Sequence, residues 1–303
     1  MGTFKNIFIV ITLSLLVLLS EAVIGQDYIN LGSGTDVNGT TSSSPVNIYY
    51  RRNVIQFVYT AAELSAAGVP TGASIEEIGW YVTQSPIYDI PDYTIKMKHV
   101  AATNVSSALG TTGWTEVKSA FTYSPTSGGY DMINFDSPFV WNGTDNIGVE
   151  LCWSQVAEGW NASGQSRVYS TTNGYRYSWT DNAGNSCGLT PGTRNTNKPQ
   201  ARIGYYPLCF GTPTPGNTIA STTSLCENFP LDLSLQNDTY GSGITYQWQS
   251  STDGSIWSDI PGANSENYSL TLSENTYFRC NVTCSGSTGT STPIEVSILE
   301  SPI

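Results

Sequence analysis

The feature that most constrains the fold is a series of short segments in which apolar and polar residues alternate, with turn residues between them. Residues 93–100 show the pattern clearly, because every second side chain shares one face: Tyr93, Ile95, Met97 and His99. Alternation with a period of two is typical of half-buried β-strands. No long amphipathic helical pattern follows the N-terminal apolar run. The sequence therefore predicts an all-β protein built from antiparallel sandwiches.

A tryptophan and a cysteine define the expected core of the second half of the chain. Trp248 is the centre of a short strand-like segment that ends in a polar turn, and a later strand-like segment carries Cys280. A tryptophan packed against a cysteine-bearing strand is the core of an immunoglobulin-like sandwich. The antibody pattern is not complete, because Leu233 lies where the first cysteine would be and Phe278 lacks the hydroxyl of a tyrosine corner.

The strand-like segments fall into two groups with a proline- and glycine-rich stretch between them. Such a stretch is typical of a polar, semi-rigid linker. We therefore expect two antiparallel β-sandwich domains, the first jelly-roll-like and the second immunoglobulin-like. The expected boundaries are a first domain at 26–207, a linker at 208–219 and a second domain at 220–303.

The N-terminus predicts export. Lys5 precedes an apolar run that ends at Leu19, and small residues follow it. The run has about the length of a signal-peptide core and is shorter than the ~20 residues of a membrane span. We expect a signal peptide at 1–25, cleaved after Gly25, with an uncleaved anchor as the alternative. The mature protein would be secreted or on the cell surface, with no membrane span after signal cleavage.

Charge excludes one large class of partner. The chain has 12 Lys and Arg against 24 Asp and Glu, a net charge of −12. Nucleic-acid binding needs clustered basic residues that neutralise phosphates, and no such cluster is present. An anionic membrane surface is disfavoured for the same reason.

The six cysteines are expected to form structural disulfides, since an exported protein enters an oxidising compartment. A zinc site is disfavoured because the chain has a single histidine and no Cys-x-x-Cys spacing. Two cysteines lie inside the first domain and should pair with each other. The expected pairs are Cys152–Cys187, Cys226–Cys280 and Cys209–Cys284.

No catalytic motif stands out, and we expect no catalytic residue. His99 is the single histidine, and no Gly-x-Ser-x-Gly elbow surrounds a serine. Glu63 follows Thr60 by three residues, which favours a capping box over a catalytic role. A pair of carboxylates remains open as a glycosidase site. Glu150 is a candidate for such a pair, because it alternates away from the apolar face of its strand toward a surface groove.

Aromatic residues in loop-rich stretches are the best candidates for ligand binding. Flat rings stack on the faces of sugars while amides and carboxylates bond their hydroxyls. The alternative is that the aromatic residues at 175, 177 and 179 form one buried face of a strand. Asp181 and its neighbours to Asn185 leave calcium open as a cofactor, with an ordinary turn as the alternative. The candidate residues are Trp160, Tyr175, Arg176, Tyr177, Trp179, Asp181 and Asn182.

The chain resembles large secreted proteins of Bacteroidetes. The second domain is similar to their immunoglobulin-like modules at Cys209–Gly216, Tyr246–Gly254, Trp257–Ala263 and Tyr277–Cys284. The first domain is similar to a module that often precedes them, at Tyr49–Tyr50, Gln56–Gly68, Ile75–Trp80 and Pro138–Gly143. Members often continue into a type IX secretion sorting domain. Because this chain stops at Ile303, we expect a fragment or an early stop.

The resemblance implies a secreted, non-catalytic protein for adhesion or carbohydrate binding, with an extracellular glycan or surface protein as partner. A second hypothesis is that these are accessory modules of an extracellular peptidase or polysaccharide-degrading enzyme whose catalytic domain is not in this chain. A third is a jelly-roll glycosidase or lyase that uses acids such as Glu150.

Overall fold

The computed structural model describes residues 25–154, 156, 163–182, 184 and 186–299. Over these residues the protein is almost entirely β-structure with one short helix, which confirms the all-β sandwich class. The expected signal peptide, up to residue 24, and Trp160 lie outside the described residues. Within the described part of the chain, no helix has the length and apolar character needed to cross a membrane.

The first domain contains two antiparallel sheets. The front sheet has the strand order β10-β9-β2-β7-β4-β5, and the back sheet has the order β1-β11-β3-β6 with β8 added beside β3. Strands that are far apart in sequence are therefore neighbours in each sheet. Their side chains can meet on one face of that sheet. The elements are β1 (Asp27–Leu31), β2 (Arg52–Tyr59), α1 (Ala61–Ala67), β3 (Ser74–Gln84), β4 (Ile90–Val100), β5 (Thr115–Tyr123), β6 (Gly129–Val140), β7 (Asn146–Cys152), β8 (Gln165–Ser166), β9 (Val168–Thr180), β10 (Thr193–Pro199) and β11 (Ala201–Tyr206).

Aromatic side chains join the two sheets in one core. Phe57 of the front sheet and Trp80 of the back sheet meet edge to face, with ring centroids 5.8 Å apart. Both are fully buried and belong to the same apolar cluster as Val149 and Tyr175. This cluster takes alternate residues from each strand, so the remaining residues of the same strands face outward.

The helix α1 begins with the capping box that the sequence predicts. The Thr60 side chain accepts from the Glu63 backbone N–H, and the Glu63 carboxylate accepts from the Thr60 backbone N–H. Glu63 also lies 2.6 Å from the Lys198 ammonium and accepts from the Tyr169 hydroxyl at 2.8 Å. Its role in the fold is therefore structural.

The second domain also contains two sheets, β12-β14-β17 and β13-β20-β18-β15-β16, with β19 beside β18. The pairing of β13 with β20 is parallel, and the other strand pairs are antiparallel. Trp248 lies directly opposite Cys280 in the β15–β18 pair, is fully buried and donates from Nε1 to the Ser265 carbonyl at 2.9 Å. The strands are β12 (Thr218–Ala220), β13 (Ser224–Leu225), β14 (Pro230–Leu235), β15 (Ile244–Ser251), β16 (Ser258–Asp259), β17 (Tyr268–Thr271), β18 (Thr276–Cys284), β19 (Ser287–Thr290) and β20 (Ile294–Ile298).

Two of the three expected disulfides are confirmed. Cys152–Cys187 and Cys209–Cys284 are bonded, with Cα–Cα distances of 5.0 and 5.6 Å. The pairing of Cys226 with Cys280 is wrong, since both are free thiols. Cys280 points into the core while Cys226 is exposed after β13.

Burial raises the pKa of the Cys280 thiol to about 11. The position that pairs with this cysteine in antibodies is Leu233, which is buried in the same apolar cluster as Cys280. The second domain thus has apolar packing at the position where an antibody domain has its central disulfide.

Candidate functional site

A row of polar side chains crosses the outer face of the front sheet. Five of the six strands contribute one residue each to this row, and β10 at the edge of the sheet contributes none. Strand register places the residues in the order Arg176, Gln56, Glu150, Lys96 and Glu116, on β9, β2, β7, β4 and β5 respectively. A polar outer face is ordinary for an antiparallel sheet, but Gln56 and Glu150 in this row are buried, which makes this face a candidate site.

Glu150 is the most deeply buried acid of the row, with 5% of its surface exposed. Gln56, itself 1% exposed, donates from Nε2 to Glu150 Oε2 at 2.6 Å. The Lys96 ammonium lies 3.8 Å from Glu150 Oε1. The carboxylate is therefore held in one orientation from two sides.

Burial raises the pKa of Glu150, because the charged form loses contact with water. The hydrogen bond from Gln56 and the charges of Lys96 and Lys98 act in the opposite direction but do not cancel the effect of burial. Glu150 thus retains a proton to higher pH than an ordinary glutamate. A carboxyl group in this state can donate a hydrogen bond as well as accept one.

The first wall beside the row is the β4–β5 connection, residues 101–114. Lys98 lies with its ammonium 4.3 Å from the centre of the Trp114 ring and donates to the carbonyls of Leu109 and Thr112. Trp114 in turn donates from Nε1 to the Gly110 carbonyl at 3.0 Å. The Leu109 backbone N–H donates to Gln56 Oε1 at 2.9 Å, which joins this wall to the polar row.

A glycine in β7 lets this wall lie close to the sheet. A Cβ atom at Gly148 would come within 2.9 Å of the Leu109 side chain and 3.6 Å of the Trp114 ring. A larger residue there would push the connection away from the sheet. Gly148 thus sets the depth of the wall beside Glu150.

The second wall is the end of the β9–β10 connection, residues 186–192. Cys187 in this segment is bonded to Cys152, which is two residues after Glu150 on the same face of β7. The disulfide therefore ties the wall to the strand that carries the buried acid. Arg176 adds a second link, since its Nε donates to the Pro191 carbonyl at 3.0 Å.

Arg176 also reaches the opposite wall. One terminal nitrogen of its guanidinium donates to the Ser106 carbonyl at 2.8 Å and to the Val105 carbonyl at 3.4 Å. A single side chain thus fastens both walls to the sheet. Because its guanidinium donates to backbone carbonyl groups of both walls, Arg176 holds the site together and is not positioned to bind a ligand.

The row and its two walls enclose a cleft of ≈ 530 Å³, which we call the sheet cleft. Its size lies within the usual range of small-molecule sites, ~300–1,000 Å³. The floor is polar, and one wall presents a half-buried indole. The lining residues are Gln56, Lys96, Ala108, Gly110, Thr111, Gly113, Trp114, Glu116, Glu150, Cys187, Gly188, Leu189, Thr190 and Pro191.

The aromatic residues predicted as a ligand platform lie on the other face of β9. Tyr175 is 2% exposed and packs in the core, so its prediction as a ligand-binding residue is wrong. Tyr177 is half-buried against the same core, while Trp179 is 40% exposed and stacks on Tyr50 with ring centroids 3.7 Å apart. The three residues share one face of a strand, as in the alternative that the sequence left open, but that face is fully buried only at Tyr175.

The predicted residues therefore do not form one site. Arg176 points to the outer face of the sheet, away from its aromatic neighbours. Asp181 accepts from the Arg51 backbone N–H at 3.1 Å through Oδ1, which gives it a structural role at the end of β9. Asn182 is exposed beside it, and its backbone N–H donates to the Thr180 hydroxyl at 3.1 Å.

Neither calcium nor His99 gains support from the structure. Among the described residues, no three His, Cys, Asp or Glu side chains come together in a metal-binding arrangement. Asn185 of the candidate calcium loop lies outside the described residues. His99 accepts from the Asn142 backbone N–H at 3.3 Å and packs against Phe139, as expected for a satisfied histidine at a strand end.

Comparison with known proteins bears on the second domain alone. A family model described as "Domain of unknown function (DUF8696)" matches residues 215–300. This segment covers the second sandwich from just before β12. No curated protein matches the chain.

Proposed function

We propose that the first domain binds carbohydrate in the sheet cleft, as part of a secreted or cell-surface protein in which the second domain is a spacer. The observation that carries the proposal is the combination of a polar floor, formed by Gln56, Glu150 and Lys96, with the indole of Trp114 at the edge. Sugars need both, because their hydroxyls require donors and acceptors while their C–H faces pack on aromatic rings. The two disulfides support an oxidising location.

The walls support binding without a large rearrangement. Hydrogen bonds and a disulfide fix both of them to the sheet before any ligand arrives. A prearranged site loses little conformational entropy on binding. Such a module would serve either an adhesin or a larger polysaccharide-degrading enzyme.

The test is a glycan-array screen of the protein together with two matched variants, Trp114→Ala and Trp179→Ala. Both remove a partly exposed indole from the first domain, but the sheet cleft contains Trp114 alone. We expect Trp114→Ala to lower affinity by about fivefold or more, since stacking of a planar base on an aromatic ring, a comparable contact, contributes ~1–3 kcal/mol. Trp179→Ala should bind as well as the unmodified protein.

Two results would reject this site. Loss of binding in Trp179→Ala with retention in Trp114→Ala would place the ligand at the far end of β9. Failure of the unmodified protein to bind any glycan would remove the carbohydrate proposal altogether. Circular dichroism of each variant shows whether the fold is intact.

Hydrolysis of a bound glycan is a second candidate, favoured by the raised pKa of Glu150. A general acid must keep its proton near neutral pH. Glu116 lies two strands away in the same row, and two strand spacings amount to ~10 Å, close to the ~6.5–9.5 Å of inverting glycosidases. Release of reducing ends from a bound oligosaccharide, abolished in Glu150→Gln with binding retained, would establish it. Binding without turnover would leave a recognition module.

A further inference from the structure

The outer face of the back sheet has a second concave site with a different character. It is a groove of ≈ 570 Å³, which we call the arginine groove. Two of its lining residues carry charge, and both are arginines. The lining residues are Asn30, Gly32, Ser33, Gly34, Tyr81, Gly128, Gly129, Tyr130, Arg167, Gln200 and Arg202.

The two arginines are held in place by aromatic rings. The Arg167 guanidinium lies 3.6 Å from the centre of the Tyr81 ring, and the Arg202 guanidinium lies 4.3 Å from that of Tyr130. The two tyrosines are direct neighbours across β3 and β6 and meet edge to face at 5.1 Å. The four side chains thus form one continuous cluster.

The absence of a side chain at position 79 of β3 leaves space on this face of the sheet for the Met132 side chain. Strand register places Gly79 between Arg202 of β11 and Met132 of β6. A Cβ at Gly79 would come within 2.5 Å of the Met132 sulfur, so the neighbouring side chain occupies the space above the glycine. Arg202 also donates from Nε to Asn30 Oδ1 at 2.9 Å, which fixes its orientation.

The positive charge of the groove is not neutralised within the described part of the chain. No Asp or Glu lines the groove, and neither arginine forms an ion pair there with a described carboxylate. Burial raises the pKa of Tyr130, and the charges of Arg202 and Arg167 act in the opposite direction. Two converging guanidinium groups are notable in a chain with a net charge of −12.

We propose that the arginine groove binds the carboxylate or sulfate group of an acidic sugar. Planar guanidinium groups bind oxyanions through paired N–H donors, and stacking on tyrosine leaves their edges available for this. The tyrosine hydroxyls and the Asn30 amide lie alongside to bond sugar hydroxyls. A single acidic group on an otherwise neutral sugar fits best, because the net charge of the protein repels densely charged polymers such as nucleic acids.

This proposal does not rest on the sheet cleft. The groove lies on the back sheet and the cleft on the front sheet, with the apolar core between them. Trp114→Ala should therefore leave binding in the groove unchanged. If Trp114→Ala abolished binding of an acidic sugar, that sugar would occupy the cleft and the groove proposal would be overturned.

The experiment is isothermal titration of the protein with three disaccharides of matched size: one with a uronic-acid carboxylate, one with a sulfate ester and one neutral. We expect at least one acidic disaccharide to bind, with an affinity that falls as salt increases. We expect the neutral disaccharide to bind the groove at least about tenfold more weakly, because a charged hydrogen bond contributes more than a neutral one.

Arg167→Gln and Arg202→Gln should each weaken binding of the acidic disaccharide about tenfold or more. Arg279→Gln is the matched control, since Arg279 also stacks on an aromatic ring, that of Trp257 at 4.2 Å, but lies in the second domain. Arg167→Lys keeps the charge and loses the planar fork, so it should have an intermediate effect.

Equal binding of acidic and neutral disaccharides by the Trp114→Ala variant, in which the sheet cleft is weakened, would overturn the proposal. An equal loss of affinity in Arg279→Gln would also overturn it, because the effect would then reflect net charge and not the groove. Failure of both acidic disaccharides to bind would have the same consequence.

Discussion

The two domains bury different kinds of polar residue. Among the described residues, the first domain buries a carboxylate, an ammonium and several amides, including Glu150, Lys198, Gln56 and Asn53. The buried polar residues of the second domain all carry hydroxyl groups: Thr218, Ser251, Thr276 and Ser291. Both domains are sandwiches with a tryptophan-rich or tryptophan-centred core, so the fold class does not account for this difference.

The contrast indicates where function lies. Burial of a charged or amide group costs free energy unless partners satisfy it, whereas a hydroxyl is satisfied more easily. The first domain retains the more costly groups and arranges the polar row within a ligand-sized cleft. The second domain has the properties expected of a stable spacer.

A substitution in the core of the second domain is the most direct test of whether the two domains have different roles. Trp248→Ala should destabilise it by about 4 kcal/mol, because a buried indole is lost and a cavity remains. Ligand binding in the first domain should persist at temperatures below the transition. Urea unfolding and titration of the bound glycan measure the two effects.

Trp257→Ala is the matched control for that substitution, since Trp257 is half-buried at the surface of the same domain beneath Arg279. Its effect should stay below about 1 kcal/mol. If Trp248→Ala also abolished ligand binding, the second domain would be part of the site and not a spacer.

Removal of the disulfide of the first domain should lower stability somewhat less than Trp248→Ala does. Cys152→Ser together with Cys187→Ser should lower the free energy of unfolding by about 3 kcal/mol, because a closed loop of the unfolded chain is released. It should also weaken ligand binding, since the second wall of the sheet cleft loses its covalent link to β7.

Removal of Cys209–Cys284 is the comparison for this prediction. This disulfide closes a longer loop than Cys152–Cys187 does, so its removal should lower the free energy of unfolding by a similar or larger amount. Ligand binding should be unaffected. Equal loss of binding in both double variants would show that general stability, and not the position of the wall, controls affinity.

The smallest expected effect concerns the pH dependence that Glu150 introduces. A raised folded-state pKa means that the native protein holds this proton more tightly than the unfolded chain does. Stability from this group is therefore complete below the unfolded pKa of ~4.3 and is lost as pH rises through the folded pKa.

Glu150→Gln should consequently be as stable as the unmodified protein at about pH 4 and more stable than it at about pH 7. Urea unfolding at both values measures this difference. Glu116→Gln, an exposed carboxylate of the same row, is the control and should change stability little at either pH. A clear destabilisation by Glu150→Gln at neutral pH would show that its partnership with Lys96 outweighs burial.

Local patterns predicted the fold well and the site poorly. Alternation identified the strands around Trp248 and Met97, and the spacing of Thr60 and Glu63 identified the capping box. The sheet cleft depends on the register of strands that are distant in sequence, which no local pattern contains. A weak signal existed, since Gln56 interrupts the otherwise apolar run from Val54 to Tyr59.

The sequence also explains why the predicted ligand-binding residues do not form one site. Residues 175, 177 and 179 share one face of a strand, so Arg176 must lie on the other. A ligand site could therefore include Arg176 or its aromatic neighbours but not both. The predicted Cys226–Cys280 pair does not form because Cys226 is exposed, while Cys280 is buried in the same apolar cluster as Leu233.

The double attachment of Arg176 has a kinetic consequence. Because one guanidinium is bonded to both walls of the sheet cleft, neither wall can swing outward without breaking a hydrogen bond to Arg176. A ligand therefore meets an entrance of constant width and need not wait for a loop to open. Association should follow a single exponential whose rate increases in proportion to ligand concentration, without the plateau that marks a slow opening step.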